Sequence, residues 1–271
     1  MSALLKTFLS FFAIGFLLAA PIGARTSTSS SKRAPVVVEL FTSEGCSDCP
    51  PADALLKNFE LQQPIPGVEV IALEEHVDYW NHDGWVDPFS SASWTFRQQD
   101  YVAKLKGSTE YTPQMVVDGR SQFVGSNEPA AVAAITSAAH GPQVNVTIGP
   151  ENIDGNDARE FSVSVGKLAA AAARGDANVW LAVTEDGLHS SVKAGENAGR
   201  VLYHAAVLRS LSKIGVAKPG GESASFTGNA RVKFNSHWNR ANLRVVAFVQ
   251  EKHSMKILGA AETRFSAGAQ N

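Results

Sequence analysis

Cys46 and Cys49 are the only cysteines of the 271-residue chain, and they stand three apart in the run CSDCPP. Thiols at that spacing can exchange a disulfide with another protein, rest as a static bridge, or supply half of a zinc site. The neighbouring residues favour exchange. Pro50 and Pro51 follow at once, and proline suits the first turn of a helix, where its missing N–H has no partner to lose. Cys46 is thereby set just ahead of a helix N-terminus, where free N–H groups and the macrodipole stabilise a thiolate. A static bridge across so short a loop removes little chain entropy. Zinc would need two further ligands, and no second cysteine pair exists. Asp48 and Glu44 place negative charge beside the pair, which opposes thiolate formation. A disfavoured thiolate favours the disulfide, so the pair is expected to be more reducing than a strong oxidase.

A second constellation follows in EEHVDYWNHDGWVDP, residues 74–88, with His76, Asp78, His82 and Asp83. It has no clear period and is expected as a loop at the C-terminal end of a strand, where open α/β sheets put their sites. One reading is a metal site in which Cys46, Cys49 and His76 hold Cu(I) or Zn, since soft thiolates select such ions. The other has His76 and Asp78 hydrogen-bonding locally while Tyr79, Trp80 and Trp85 pack beneath a substrate groove. Arg97 is read as pairing with Asp78 or Asp87, or as solvated. His189, His204 and His237 show no ligand spacing and read as structural or exposed, and Trp180 and Trp238 as core.

The elements that must position these groups follow from periodicity. Val36, Val37, Val38, Leu40 and Phe41 form a buried strand, and Ala52, Leu55, Leu56 and Phe59 a helix. A second apolar run over 68–73 completes a βαβ unit with parallel strands. A helix is expected over 90–106, then a strand over 111–118 beginning at Thr112–Pro113. Gly119 turns that strand into an antiparallel return at 122–124. Asn127 caps a helix to about 139, and Gly141–Pro142 marks a boundary. Beyond it, Val144/Val146/Ile148, Phe161/Val163/Val165 and Val179/Leu181/Val183 alternate with polar residues, and 245–249 and 257–260 are denser. Such runs predict an antiparallel β-sandwich. Residues 168–174 and 204–214 stay open between helix and strand.

Composition sets the address. Net charge is −2, from 24 basic and 26 acidic residues, which leaves no nucleic-acid footprint. Lys6, the apolar run 8–20 and the small residues Gly23 and Ala24 read as a signal peptide cut after Ala24. An uncleaved anchor is the alternative. The expected organisation is signal peptide 1–24, linker 25–34, first domain 35–141 and β-rich second domain 142–271. The mature chain is expected to be secreted or periplasmic, free of the membrane once the signal is removed.

The element order over 35–140 resembles the thioredoxin fold. The motifs ELFTSEGCSDCPPAD, HVDYW, YTPQMVVDG, GRVLYHAAVLR and VVAFVQ are similar to those of the DUF1223 family of secreted thioredoxin-like proteins. The implied fold class is an α/β thioredoxin-like domain followed by a mainly antiparallel β-sandwich-like domain. The resemblance implies Cys46 as nucleophile and Cys49 as resolving thiol. Pro113 takes the place of a cis-proline beside the disulfide, and Glu39 that of a buried acid assisting proton transfer. A trans proline opening a strand and a solvated Glu39 are the alternatives that local sequence allows. Thr112, His76, Tyr79 and Trp80 are the expected substrate contacts. The functional expectation is an extracytoplasmic thiol–disulfide oxidoreductase acting on protein thiols or disulfides. It has an unidentified redox partner and no cofactor beyond its own cysteine pair. A Cu/Zn metallochaperone and a binding protein with a static disulfide are the rivals.

Overall fold

The computed structural model describes residues 33–105, 107, 109–153, 158–169, 175–221 and 223–265. The expected signal peptide, residues 25–32 of the expected linker and residues 170–174 of the alanine-rich run lie outside the described residues. In the first half, β1 (Ala34–Thr42), α1 (Pro50–Gln62), β2 (Val68–His76), α2 (Ala92–Lys104), β3 (Gln114–Val117), β4 (Ser121–Val124) and α3 (Glu128–Ala139) follow in turn. In the second half the regular elements among the described residues are strands, apart from a short 3-10 turn at Arg240–Asn242. Its strands are β5 (Val146–Ile153), β6 (Ala158–Val165), β7 (Ala177–Glu185), β8 (Leu188–Ser191), β9 (Val201–His204), β10 (Val207–Ala217), β11 (Phe226–Lys233), β12 (Leu243–Glu251) and β13 (Ile257–Arg264). The open 204–214 stretch is therefore the end of one strand and most of another.

Local rules account for the element ends. Pro50 opens α1, Ser91 caps α2 through Ser93 N–H, and Asn127 caps α3 through Ala130 N–H. The β3–β4 hairpin turns on Asp118 and Gly119, at φ 46° and 60°, the positive values that a tight turn closed by Arg120 N–H on the Val117 carbonyl requires. A Cβ on Gly119 would also sit 2.0 Å from the Met255 carbonyl oxygen, so the turn is pressed against the chain just before β13.

The expected fold class does not hold. The molecule is mostly β, with three α-helices among the described residues. One mixed eight-stranded sheet, in the order β13-β12-β7-β10-β2-β1-β3-β4, runs through both halves of the chain. A helix-rich thioredoxin α/β domain joined to a separate sandwich is therefore replaced by a shared sheet. The join is β10, which is antiparallel to β7 and meets β2 in parallel at Val207 opposite Glu74. Among the described residues, the rest of that β2 edge has no strand partner. Side chains of the α1 end take its backbone groups instead: Gln63 bonds both N–H and C=O of Val70, and Glu60 accepts from Ala72 N–H.

The sheet curls far enough for β13 to return to β1, and Ile257 N–H donates to the Asp118 carbonyl at 2.9 Å. Val37, Ile71 and Leu73 of β1 and β2 consequently share a core with Ala182, Val246, Phe248, Ile257 and Ala260, with Trp94 of α2. The alternate residues Val36, Val38 and Leu40 pack on Ala52, Leu56 and Phe59 of α1 and Ile135 of α3. A three-stranded sheet, β11-β6-β5, covers Val179, Leu181, Val183, Val245 and Ala247. The alternating runs of the second half are thus strands, but one of the two layers they build is the end of the common sheet. Trp180 and Trp238 are half-buried at the margins of these cores.

Candidate functional site

The loop leaving β1 carries the chemistry. Cys46 and Cys49 form a disulfide, with Cα atoms 5.4 Å apart. Cys49 is the residue before α1, and its carbonyl accepts from Ala52 N–H and Asp53 N–H. Cys46 is 2% exposed and Cys49 fully buried, whereas Ser47 and Asp48 between them are exposed. The cover comes from the far half of the sequence. Residues 192–200, joining β8 to β9, lie over the loop. Asn197 Nδ2 donates to the carbonyls of Glu44 and Cys46, at 2.8 and 2.9 Å, and Ser47 N–H donates to Glu196 at 2.9 Å.

Thr112, Pro113 and Trp80 border the same loop, whereas Tyr79 packs in the cluster of Phe41, Tyr101 and Val116. The Thr112–Pro113 peptide is cis. Since Gln114 pairs with Phe41, Pro113 falls beside the end of β1, where the cysteine loop begins. A Cβ built on Gly125 would meet Pro113, Leu40 and Ala52 within 3.2 Å, which places Pro113 against the first turn of α1. Trp80 Nε1 donates to Thr112 Oγ1 at 2.8 Å, and a Cβ on Gly45 would stand 3.0 Å from Trp80 Cβ. Trp80 thus bridges the cysteine loop and Thr112. Tyr79 bonds Gln98 Oε1, and burial pushes its phenol up to about 12.

Glu39 is not brought to the cysteines. It is out of phase with Val36, Val38 and Leu40 and therefore faces away from α1. There it is fully buried, accepts from Arg97 Nε at 2.5 Å and from the Tyr101 hydroxyl, and lies near Glu75. Arg97 is accordingly buried, neither solvated nor paired with Asp78 or Asp87. Burial opposes its charge, but Glu39 and then Tyr101 and Glu75 more than offset this, so its pKa is raised. Burial and the Glu39 charge hold the Glu75 carboxyl well above the ordinary range.

His76 ends β2 and is not part of a loop. Among the described residues, the donor group that forms around it contains Glu74 and His204 and neither cysteine. His76 Nδ1 lies 2.7 Å from Asp87 Oδ2, and the same oxygen accepts from Glu44 N–H at 2.8 Å. His204, read from sequence as structural or exposed, is buried with its ring nitrogens 2.9 Å from Glu74 and 3.1 Å from Glu44. Glu44 also accepts from Trp85 Nε1 at 2.8 Å, so its carboxylate turns inward, away from solvent. Burial disfavours the charged imidazolium at both histidines. The Asp87 charge and hydrogen bond raise His76 nonetheless, and Glu74 and Glu44 raise His204 well above its ordinary value. Asp53, one turn into α1, is pushed up to about 7 by burial and the Glu74 charge, against His204 and the Thr42 hydroxyl bond.

The Cys46–Cys49 pair ahead of a helix start was legible as local sequence, and the place of Pro113 was implied by the thioredoxin resemblance. His204, Asn197, Asp53 and Asp87 were missed. Glu74 and His204 are 130 positions apart, so no local motif joins them. The visible signal was narrower: His204 sits in GRVLYHAAVLR, one of the motifs on which the sequence resemblance rests.

The family model described as protein of unknown function (DUF1223) matches residues 37–250. The chain belongs to the DUF1223 family. That span includes the cysteine loop, the histidine cluster and the covering segment. A solved protein from Agrobacterium tumefaciens is 24% identical to this DUF1223 member, with 87% of this chain and 96% of that chain covered at a TM-score of 0.61. HBP35 of Porphyromonas gingivalis is 14% identical, with 89% of this chain and 79% of that chain covered at 0.60. Both are likenesses of fold. No curated protein matches the chain.

Proposed function

We propose that this DUF1223 protein is an extracytoplasmic thiol–disulfide oxidoreductase acting on protein thiols or disulfides. One observation carries the reading: the Cys46–Cys49 disulfide sits immediately ahead of α1, bordered by Trp80, Thr112 and Pro113. In the reduced form, the Cys46 thiolate attacks a substrate disulfide, forming a mixed disulfide and releasing one substrate thiolate. Cys49, as thiolate, then attacks Cys46 Sγ, releasing the second substrate thiolate and regenerating the internal bond. An external dithiol reduces the pair for the next turnover, and the same steps in reverse oxidise a substrate dithiol. Export is supported by the signal-like N-terminus and by the disulfide itself, which persists in oxidising compartments. None of the described helices is long and apolar enough to cross a membrane.

The burial of both sulfurs favours a second reading, a static bridge. Equilibration of the protein in thiol–disulfide buffers, followed by alkylation and mass measurement, separates the two. The exchange reading expects a potential above about −300 mV, and the static reading one below it. Cys46→Ser is expected to abolish reduction of an insulin-type disulfide, and Cys49→Ser to accumulate a mixed disulfide. A protein that exchanges with no disulfide substrate when reduced is not an oxidoreductase.

A further inference from the structure

We propose that Glu74, His76 and His204 form a buried binding site for one divalent transition-metal ion of the Zn²⁺ class, separate from the two sulfurs. The three side chains are 0–1% exposed and come from β2 and the end of β9. Their donor atoms lie within 4.8 Å of one another. His76 Nε2 is 3.7 Å from Glu74 Oε1, and His204 Nδ1 is 2.9 Å from the same oxygen. These separations bracket the ~3.3 Å between ligand atoms that follows from tetrahedral bonds of about 2.0–2.1 Å.

The surroundings hold each group in a ligating pose. Asp87 takes His76 Nδ1, which directs the Nε2 lone pair into the cluster. Glu44 takes His204 Nε2 and leaves Nδ1 facing Glu74. Ala205 N–H bonds Glu74 Oε2 and turns Oε1 inward. The outer carboxylates are themselves held, Asp87 by the N–H groups of Glu44 and Phe89 and Glu44 by Trp85. The Phe89 ring stands edge-on to both imidazoles, 5.4 and 5.6 Å away, and walls the site with apolar surface.

One atom in this network is left over. His76 Nε2 is buried with no hydrogen-bond partner among the described residues. A proton there would be a buried donor with no acceptor in reach, since Glu74 is too distant for a hydrogen bond. A lone pair there would lack a donor. A metal ion supplies the missing partner, and its charge offsets the carboxylates of Glu44, Glu74 and Asp87 gathered around it. Two imidazoles and a carboxylate with an open position suit Zn²⁺ or a similar first-row ion.

The test uses the full mature chain with its disulfide intact, refolded with Zn²⁺ or with Co²⁺ as a spectroscopic substitute and then desalted. About one equivalent of metal per chain is expected, with a tetrahedral Co²⁺ spectrum lacking thiolate charge transfer. The Cys46→Ser/Cys49→Ser double variant is expected to retain it, whereas His76→Ala and His204→Ala are expected to lose it. Asp87→Asn, which keeps the ligands, is expected to weaken binding roughly 10–100-fold. Folded wild-type protein without stoichiometric metal would overturn the proposal. So would binding that needs reduced cysteines, or binding unchanged in folded Asp87→Asn and His76→Ala. These outcomes are independent of whether the disulfide exchanges.

Discussion

Asp118 shows how strongly one residue can tie the folded state to proton concentration. Its N–H bonds the Val37 carbonyl, and its carboxyl accepts from Val37 N–H at 2.9 Å. Burial pushes that carboxyl up to about 7; the Val37 N–H and Arg120 oppose the rise and Glu39 adds to it. The folded chain therefore keeps a proton that the unfolded chain, titrating near 3.8, has already released. Stability contributed by this group falls as pH rises from about 4 to about 7 and is level above, by at most about 4 kcal/mol. Asparagine fits the left-handed backbone and preserves the acceptor for Val37. Asp118→Asn is expected to match the wild type near pH 4 and to exceed it by roughly 1–4 kcal/mol near pH 8 in urea unfolding. An equal loss at both values would contradict this origin.

The same scale explains what a residue-by-residue reading of the sequence reached. Cys46 and Cys49 were legible because the physics of helix starts is local, whereas the cis-proline place of Pro113 came from the resemblance in element order, local sequence alone allowing an ordinary trans proline. Glu39 is buried, as its assignment expects, but with Val36, Val38 and Leu40 packed on α1 its parity turns it to the other face, toward Arg97 and Tyr101. His204 offered no such handle. A histidine becomes a partner of Glu74 and Glu44 only when a strand 130 positions distant and a loop 160 positions distant are brought together.

At the scale of elements, the connection over residues 192–200 is fastened to the cysteine loop and is expected to control access to the disulfide. Nothing in its sequence marks it as a cover; its role follows from the β8–β9 hairpin folding back over the cysteine loop. Fully buried Asn197 fastens it through its two bonds to the Glu44 and Cys46 carbonyls. Losing two such bonds costs about 2 kcal/mol, enough to raise the open population roughly 10–30-fold. Asn197→Ala is therefore expected to speed reduction of the pair by a small dithiol to that extent, measured by timed alkylation under conditions where opening is at pre-equilibrium. An unchanged rate in a folded variant would show that this connection does not limit access.

At the scale of the whole molecule, the expected boundary near residue 141 falls inside a single sheet. Periodicity revealed many of the strands on both sides of it, though not β8 or β11, and not their common order, because strand neighbours in a mixed sheet are chosen by tertiary packing. The consequence is energetic. Val37, Ile71 and Leu73 are fully buried, and apart from Trp94 their shared core comes from β7, β10, β12 and β13. Uncovering three aliphatic side chains costs on the order of 5 kcal/mol, comparable with the 5–15 kcal/mol that holds a typical domain folded. A fragment of residues 33–141 also loses the bond from Ile257 to Asp118 and the β10 edge of β2. The fragment is expected to lack a cooperative unfolding transition. The intact chain is expected to unfold in one step, with tryptophan fluorescence and far-UV circular dichroism coincident in urea. Two separated transitions, or a fragment that unfolds cooperatively, would mean that the strands before residue 141 are stable without the sheet they join.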